Sequence, residues 1–413
     1  MQPTYTQAAR HRKGASFMGA IGWELLIAIG RFFAHPLTYI FLIAMILLGY
    51  RRVKKERADF HTRVQDTLDD LLTPMVPGLL AGAAVSIVIL LAGASVPWSF
   101  LLLVGLLYVV FLLTGRAWLL SPSYVLGLAV LIAYFIPSQL ETGNMTVDGW
   151  LQTLAEANLM HAVLLLALFM LAEGILILKN GQKHTSPLLK KSTRGKWIGA
   201  HKLQRLWFVP LFVFVPGGEI EGLGWWPVLP IGDGGLALWL VPMAIGTSFT
   251  IYHTLPWKAA SLHGQRVIGA GILALAGAVA AYFYPVFVLV TAIVAIVLRI
   301  AASIVGKIQE DSNPPFFTMQ TKGVKVLGVI PGSPAEKMEL KPGEIIMRVN
   351  GIPVNGEKDF YKALQRNSAY CKLDVADLNG EIRFAQSTVF HGAHHHVGVL
   401  LVKRKEAPEE ETG

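Results

Sequence analysis

Apolar runs of about 20 residues recur along this chain, the length an α-helix needs to cross a hydrocarbon core roughly 30 Å thick. The clearest are 76–96, 117–136, 159–178, 235–254 and 286–305. Two longer runs, 76–114 and 267–305, exceed one crossing and carry Pro97 and Pro285 near their middles, so each predicts a helical hairpin that reverses at the proline. Segment 203–226 reaches crossing length only by admitting Pro210, Glu219 and Glu221. Segment 22–50 is interrupted by Glu24, Arg31 and His35-Pro36, and either crosses once or first enters along the interface. The expected fold is therefore a polytopic α-helical membrane bundle of about eight or nine spans, occupying 21–305 after a polar, basic tail at 1–20. Charged residues make up only 15% of the chain, against about 25% in soluble domains, which removes the alternative of a large soluble core.

The few charges orient the bundle. Loops 51–75 and 179–202 hold Arg51, Arg52, Lys54, Lys55, Arg57 and then Lys179, Lys183, Lys190, Lys191, Arg194, Lys196, Lys202, beside spans, as cytoplasmic loops do. Segments 138–158 and 217–234 contain acids and neither Lys nor Arg, so they are expected outside. Alternation then puts the C-terminal domain in the cytoplasm. The basic N-terminal tail favours the same side, which a single crossing by 22–50 would forbid, so the side of the N-terminus stays open. The net charge of +9 sits next to apolar spans, which points to anionic membrane lipid and away from nucleic acid. A single cysteine, Cys371, excludes an internal disulfide framework and a cysteine-rich zinc site.

After a polar linker, 306–315, the pattern becomes that of a small soluble α+β domain, 316–402, followed by a charged tail, 403–413. Val324 and Val326 alternate with polar neighbours into a strand, and Ser333-Pro334-Ala335-Glu336 is a capping box with proline at the first helical position. Pro342-Gly343, Asn350-Gly351 and Asn379-Gly380 are turn signals, and Phe360 and Leu364 share one face of a second helix at 357–366. The order Pro331-Gly332-Ser333-Pro334-Ala335, Leu340-Lys341-Pro342-Gly343-Glu344-Ile345-Ile346 and Val349-Asn350-Gly351 resembles bacterial PDZ domains, with Met338-Glu339 and Glu344 as mild departures. That resemblance implies binding of an extended peptide or C-terminal tail, added as a strand beside a helix with its carboxylate held by loop amides. No apolar-Gly-apolar loop precedes Val324, but Val397-Gly398-Val399-Leu400 supplies one at the other end. A circularly permuted groove would then be built from Val397, Gly398, Val399 and Leu400, facing Phe360 and Leu364. An ordinary final strand closing the sheet is the alternative.

Other candidates weigh less. Consecutive side chains of His394-His395-His396 would point to opposite faces of a strand, with no carboxylate cluster beside them, so neither a metal nor any other cofactor is expected. Glu173 lies inside a span and reads as a bundle-facing structural acid, or as part of an ion path if partners exist; Arg299 sits near a span end and could snorkel. Ser248 and His253, placed on one helix, fall on different faces, and no His-Glu-x-x-His occurs, so no enzyme activity is expected. Val53, Phe60, Val64, Leu68 and Leu71 form a stripe on a helix over 51–72, suited to a partner or to headgroups.

A many-span bundle, the stretch Arg-Arg-Val-Lys-Lys-Glu-Arg-Ala-Asp-Phe-His-Thr-Arg-Val at 51–64 after the first apolar segment, and a C-terminal PDZ domain together resemble the MinJ family of cell-division topology proteins. The resemblance implies a membrane adaptor at septa and poles that links a DivIVA-like polar scaffold to a MinD-like ATPase and its inhibitor partner MinC. A transporter or channel with a PDZ regulatory module is the alternative, resting on Glu173 and the two proline-centred hairpins.

Overall fold

The computed structural model describes residues 22–137, 142–192, 194–220, 226, 229, 235–366, 370–388 and 397–403. The tail 1–20, Glu141, Glu221, Asp233, His394-His395-His396 and most of the tail 403–413 lie outside them.

The first apolar segment is two helices, α1 (22–34) and α2 (Pro36–Phe60), broken where His35-Pro36 interrupts the hydrogen-bond ladder. Next come α3 (Asp69–Ala92) and α4 (Trp98–Leu113), which reverse at Pro97 as expected. Segment 117–136 is a short 3-10 turn, Ala117–Leu120, followed by α5 (Pro122–Phe135). The chain continues through α6 (Met145–Ala155) and α7 (Leu159–Asn180) into a three-stranded antiparallel sheet, β1 (Ser186–Lys191), β2 (Trp197–Ile220) and β3 (Leu236–Ile251). It ends the bundle with α8 (Pro256–Phe283) and α9 (Val286–Ser312), which reverse at Pro285. Helix α9 includes residues 306–312, so most of the expected linker is helical. Among the described residues five helices, α2, α3, α7, α8 and α9, are long and apolar enough to cross a membrane, while α4 and α5 are shorter apolar helices.

The main correction concerns 203–226 and 235–254, expected as helical spans. They form one hairpin, β2–β3, in register from His201 opposite Ile251 to Pro216 opposite Leu236, with Pro210 facing Pro242. A strand at membrane depth must have its backbone groups satisfied by protein, because lipid offers no partners. Strand β1 covers β2 only as far as Lys202. Beyond it, α3 presses glycines onto the exposed edge: a Cβ at Gly78 or Gly82 would overlap the carbonyl oxygen of Phe208 or Pro210. Ser86, one turn further on, takes the Phe212 amide hydrogen at 2.9 Å. The outer edge of β3 is closed by Tyr108, which donates to the Ala244 carbonyl at 2.6 Å, and by Glu24, which accepts from the Leu238 amide at 3.3 Å.

These contacts define two ends. At one, Asn180 meets Thr73 and Gly115 lies against Arg51; at the other, Trp150 bonds the Ser99 carbonyl and Trp226 the Leu90 carbonyl. Glu24, bonded to the start of β3, places the beginning of α1 at the second end. The charge pattern follows this division: Arg51, Lys54, Lys55, Arg57 and Lys190 lie at the first end, Asp148 and Glu156 at the second.

The C-terminal domain stands on the first end. Its sheet runs β8-β7-β5-β4-β9, with β6 (Ile352–Pro353) paired to β5. Here β4 is Val324–Val329, β5 Ile345–Val349, β7 Tyr370–Ala376, β8 Ile382–Thr388 and β9 Val399–Leu401. The short α10 (Pro334–Lys337) and α11 (Glu357–Gln365) complete it. The turn residues do what their chemistry demands, with positive φ at Asn350 (50°), Gly351 (82°) and Gly380 (87°).

Candidate peptide-binding site

Ser333 caps α10 by accepting from the Glu336 amide at 3.4 Å, and the Glu336 carboxylate accepts from the Gly332 amide at 2.7 Å. This cap anchors the final segment of the domain. The Ala335 amide donates to the Val397 carbonyl at 2.9 Å and the Ile330 amide to the Gly398 carbonyl at 2.8 Å, so 397–398 is pinned across β4 and α10 before β9 begins. Gly398 has φ of 83°, and a Cβ there would overlap the Ser333 side chain. Glycine at 398 is therefore required by the cap as well as by backbone conformation.

Among the described residues, strand β9 pairs only with β4, antiparallel, and forms one edge of the sheet; β8 is the other. Lys403, just past β9, bridges to Glu357 at the start of α11 at 3.0 Å, which fixes helix and strand side by side. Along the strand the side chains part. Val399 and Leu401 join Val397, Phe360 and Leu364 in the core of the domain, whereas Leu400 and Val402 turn to the bundle. All six residues expected at the groove are thus placed: Val397, Val399, Phe360 and Leu364 in one core, Gly398 in the turn against Ser333, and Leu400 on the opposite face. Phe360 and Leu364 are buried and fill the space between α11 and the sheet. The edge backbone of β9 lies beside α11, whose Phe360 and Leu364 are committed to the core of the domain.

Sequence reasoning missed the junction beneath. Leu400 and Val402 share an apolar cluster with Leu327 and Phe317 of the C-terminal region and with Phe60, Val64, Leu189 and Leu255 of the bundle. The Gly199 amide donates to Phe317 oxygen and the Phe316 amide to Tyr252 oxygen, each at 2.8 Å. His201, buried at this junction, faces the Leu327 carbonyl through Nε2 at 2.9 Å and Thr185 Oγ1 through Nδ1 at 3.0 Å. A carbonyl only accepts, so Nε2 carries the proton. Burial pushes the imidazole pKa down to about 4, which keeps the ring neutral.

The stripe expected on 51–72 is spent here. The helix ends at Phe60, His61 turns with φ of 58°, and Phe60 and Val64 enter the junction, so only Leu68 remains well exposed. Beside it Arg52 bridges Glu56 and Asp70 at 2.9 and 2.6 Å, and Arg205 of β2 bridges Asp70 at 2.8 Å, tying α2, α3 and the hairpin together.

Deeper in the bundle Glu173 and Arg299 form a buried pair at 2.9 Å, with Ser121 donating to the free carboxylate oxygen at 2.6 Å and Arg299 also reaching Ser303. Arg299 does not snorkel; it is 2% exposed and held by its partner. Ser248 and His253 lie at the end of β3 and in the turn after it, where His253 pairs with Glu310 at 2.9 Å. Among the described residues no cluster of three or more His, Cys, Asp or Glu could hold a metal.

The PDZ domain family model matches residues 325–376. The chain is 37% identical over 386 residues to "Cell division topological determinant MinJ" of Bacillus subtilis (strain 168), covering 92% of this chain and 96% of that protein. It is 27% identical to "Probable cell division topological determinant MinJ" of Lacticaseibacillus paracasei, over 90% of this chain and 98% of the relative. These relatives are named for division and for no catalytic activity. With identity of that level along nearly its full length, and with a PDZ domain seated on an apolar helical bundle, the chain belongs to the MinJ family of cell-division topological determinants.

Proposed function

We propose that the chain is a membrane adaptor that selects division sites by holding other proteins against the membrane. In this reading the bundle is the anchor, the PDZ end with its basic residues faces the cytoplasm, and the edge formed by β9 and α11 receives an extended peptide or C-terminal tail. The observation that carries it is β9: an edge strand, fixed beside α11 by the Lys403–Glu357 bridge, is the arrangement strand addition needs. The partners are a DivIVA-type scaffold at poles and septa and the MinD-type ATPase with MinC, by analogy with the division role in the relatives' names.

A fluorescent fusion should gather at septa and poles only in cells that have the polar scaffold, and loss of the gene should give filaments with misplaced minicell divisions. Removing 316–413 should weaken partner recruitment while the bundle still reaches the septum. Uniform membrane fluorescence, normal division in the deletion strain and solute flux through the purified protein would instead favour transport. Against transport stands the full engagement of Glu173, which leaves no free intramembrane acid at that point.

A further inference from the structure

A cavity of about 850 Å³ opens beside the buried Glu173–Arg299 pair, between the end of β3, α5, α8 and α9. Its size is in the range of about 300–1,000 Å³ typical of small-molecule sites. Its two halves differ in chemistry. Leu128, Ile300 and Ile304 line one half, and the last two are exposed residues on a helix of membrane length, so this half opens sideways onto the surface that lipid chains would cover. Lys190, Arg266 and Lys307 line the other half, at the end where the PDZ domain sits.

The charges in that second half do not cancel. The two acids lining the cavity are held by other donors, Glu310 by the Tyr252 and His253 amides at 2.7 and 2.9 Å and Asp311 by the Tyr252 hydroxyl, so three cations stand against two carboxylates that do not pair with them. None of the ion pairs among the described residues involves Lys190, Arg266 or Lys307. Arg266 is held only by the neutral Gln309 at 2.6 Å, and Lys190 lies over the Tyr252 ring at 4.3 Å. Three cations without carboxylate partners thus stand at the mouth of an apolar slot that opens to the side.

We propose that this cavity holds an anionic phospholipid, its phosphate between Arg266, Lys307 and Lys190 and an acyl chain along Ile304 and Ile300. A zwitterionic lipid would bring its own ammonium against the same three cations and is disfavoured. An acidic peptide would satisfy the cations but leave the aliphatic half empty. The site does not depend on the division role. It would make the seat of the PDZ domain sensitive to lipid composition, because Lys190 belongs to β1 and Tyr252 bonds Phe316, the first residue of that domain.

The test is native mass spectrometry of the intact protein released from nanodiscs of phosphatidylglycerol and phosphatidylethanolamine in equal parts. Phosphatidylglycerol adducts should survive delipidation in excess over phosphatidylethanolamine. Arg266→Gln with Lys307→Gln should reduce them about tenfold, a loss of about 1.4 kcal/mol. Arg194→Gln with Lys196→Gln, which removes the same charge outside the cavity, should not. Ile300→Trp should displace the lipid while leaving the cations in place, and Lys307→Gln alone, at an exposed position, guards against a folding defect in the double variant. Equal retention of the two lipids, equal loss in the cavity and control pairs, displacement by inorganic phosphate as effective as by short-chain phosphatidylglycerol, or preferential capture of an acidic peptide would overturn the proposal.

Discussion

The molecule contains two antiparallel β structures, and they obey different rules. In the strands of the PDZ sheet away from the bundle one face is packed and the other wetted, so polar residues alternate with apolar ones; β7, Tyr370–Ala376, alternates buried Cys371, Leu373 and Val375 with more exposed neighbours. In the bundle, β2 from Leu206 to Val215 is buried or nearly so at every position, with α3 along one edge and β3 along the other. Alternation disappears when both faces are dry, and a long apolar run remains that hydropathy alone cannot distinguish from a helix. The stability of the two sheets should therefore respond to different changes.

The largest expected difference is in charge removal. Glu173→Ala leaves Arg299 buried and unpaired in the bundle and should cost about 3–5 kcal/mol. Arg383→Ala in the PDZ domain removes the one-third-exposed partner of buried Glu344, whose carboxylate keeps the Lys341 amide, and should cost about 2 kcal/mol. Thermal unfolding in detergent compares them, and the double variant Glu173→Leu/Arg299→Met should recover much of the first loss. Equal effects would mean that the bundle interior is wetter than its packing indicates.

Next comes backbone approach. Gly82→Leu drives a side chain into the Pro210 carbonyl and should destabilise the bundle by about 3 kcal/mol. Gly380→Ala, in an exposed PDZ turn with open space at its Cβ, strains only its own φ and should cost about 1 kcal/mol. A smaller effect, about 1–2 kcal/mol, is expected for Ser86→Ala, which strands the Phe212 amide. It should appear as faster hydrogen exchange in β2 with the PDZ sheet unchanged.

The smallest effect concerns the joint between the two regions. His201 is neutral in the docked domain, with a pKa of about 4, and would return towards 6.5 on separation. Above pH 6.5 both forms are neutral and docking is at full strength; as pH falls from there towards 4, only the separated form takes up a proton, so docking weakens. Protease sensitivity of 313–323 should rise over that window by a factor that His201→Gln abolishes. A flat profile for the native protein would remove His201 from the joint.

How much was legible follows from the same contrast. The hairpins at Pro97 and Pro285 and the turns at Asn350 and Gly380 were written in single residues whose backbone chemistry allows few outcomes. The β2–β3 hairpin was signalled only weakly, by Pro210 and Pro242 inside apolar runs and by the Gly78, Gly82, Ser86 spacing on α3. That spacing reads equally well as a helix-packing face, because it records close approach and not what approaches. Glu173 and Arg299, 126 positions apart, each looked isolated, and the stripe through Phe60 and Val64 looked external, since the sequence shows which face is apolar but not which partner covers it. At the candidate site, Gly398 and the Phe360–Leu364 face were visible as types and spacings. The burial of Leu400 against the bundle was not, for it depends on how two modules meet.

The central claim is that division partners are received at the β9–α11 edge, and the two edges of the PDZ sheet test it against each other. A photoreactive benzoylphenylalanine replaces Tyr361 on α11 in one strain and Phe384 on β8, which is 68% exposed, in another, both in dividing cells that carry tagged DivIVA-type and MinD-type proteins. Cross-links to a tagged partner from position 361 and not from 384 are the predicted result; cross-links from 384 alone, or equally from both, would contradict the assignment.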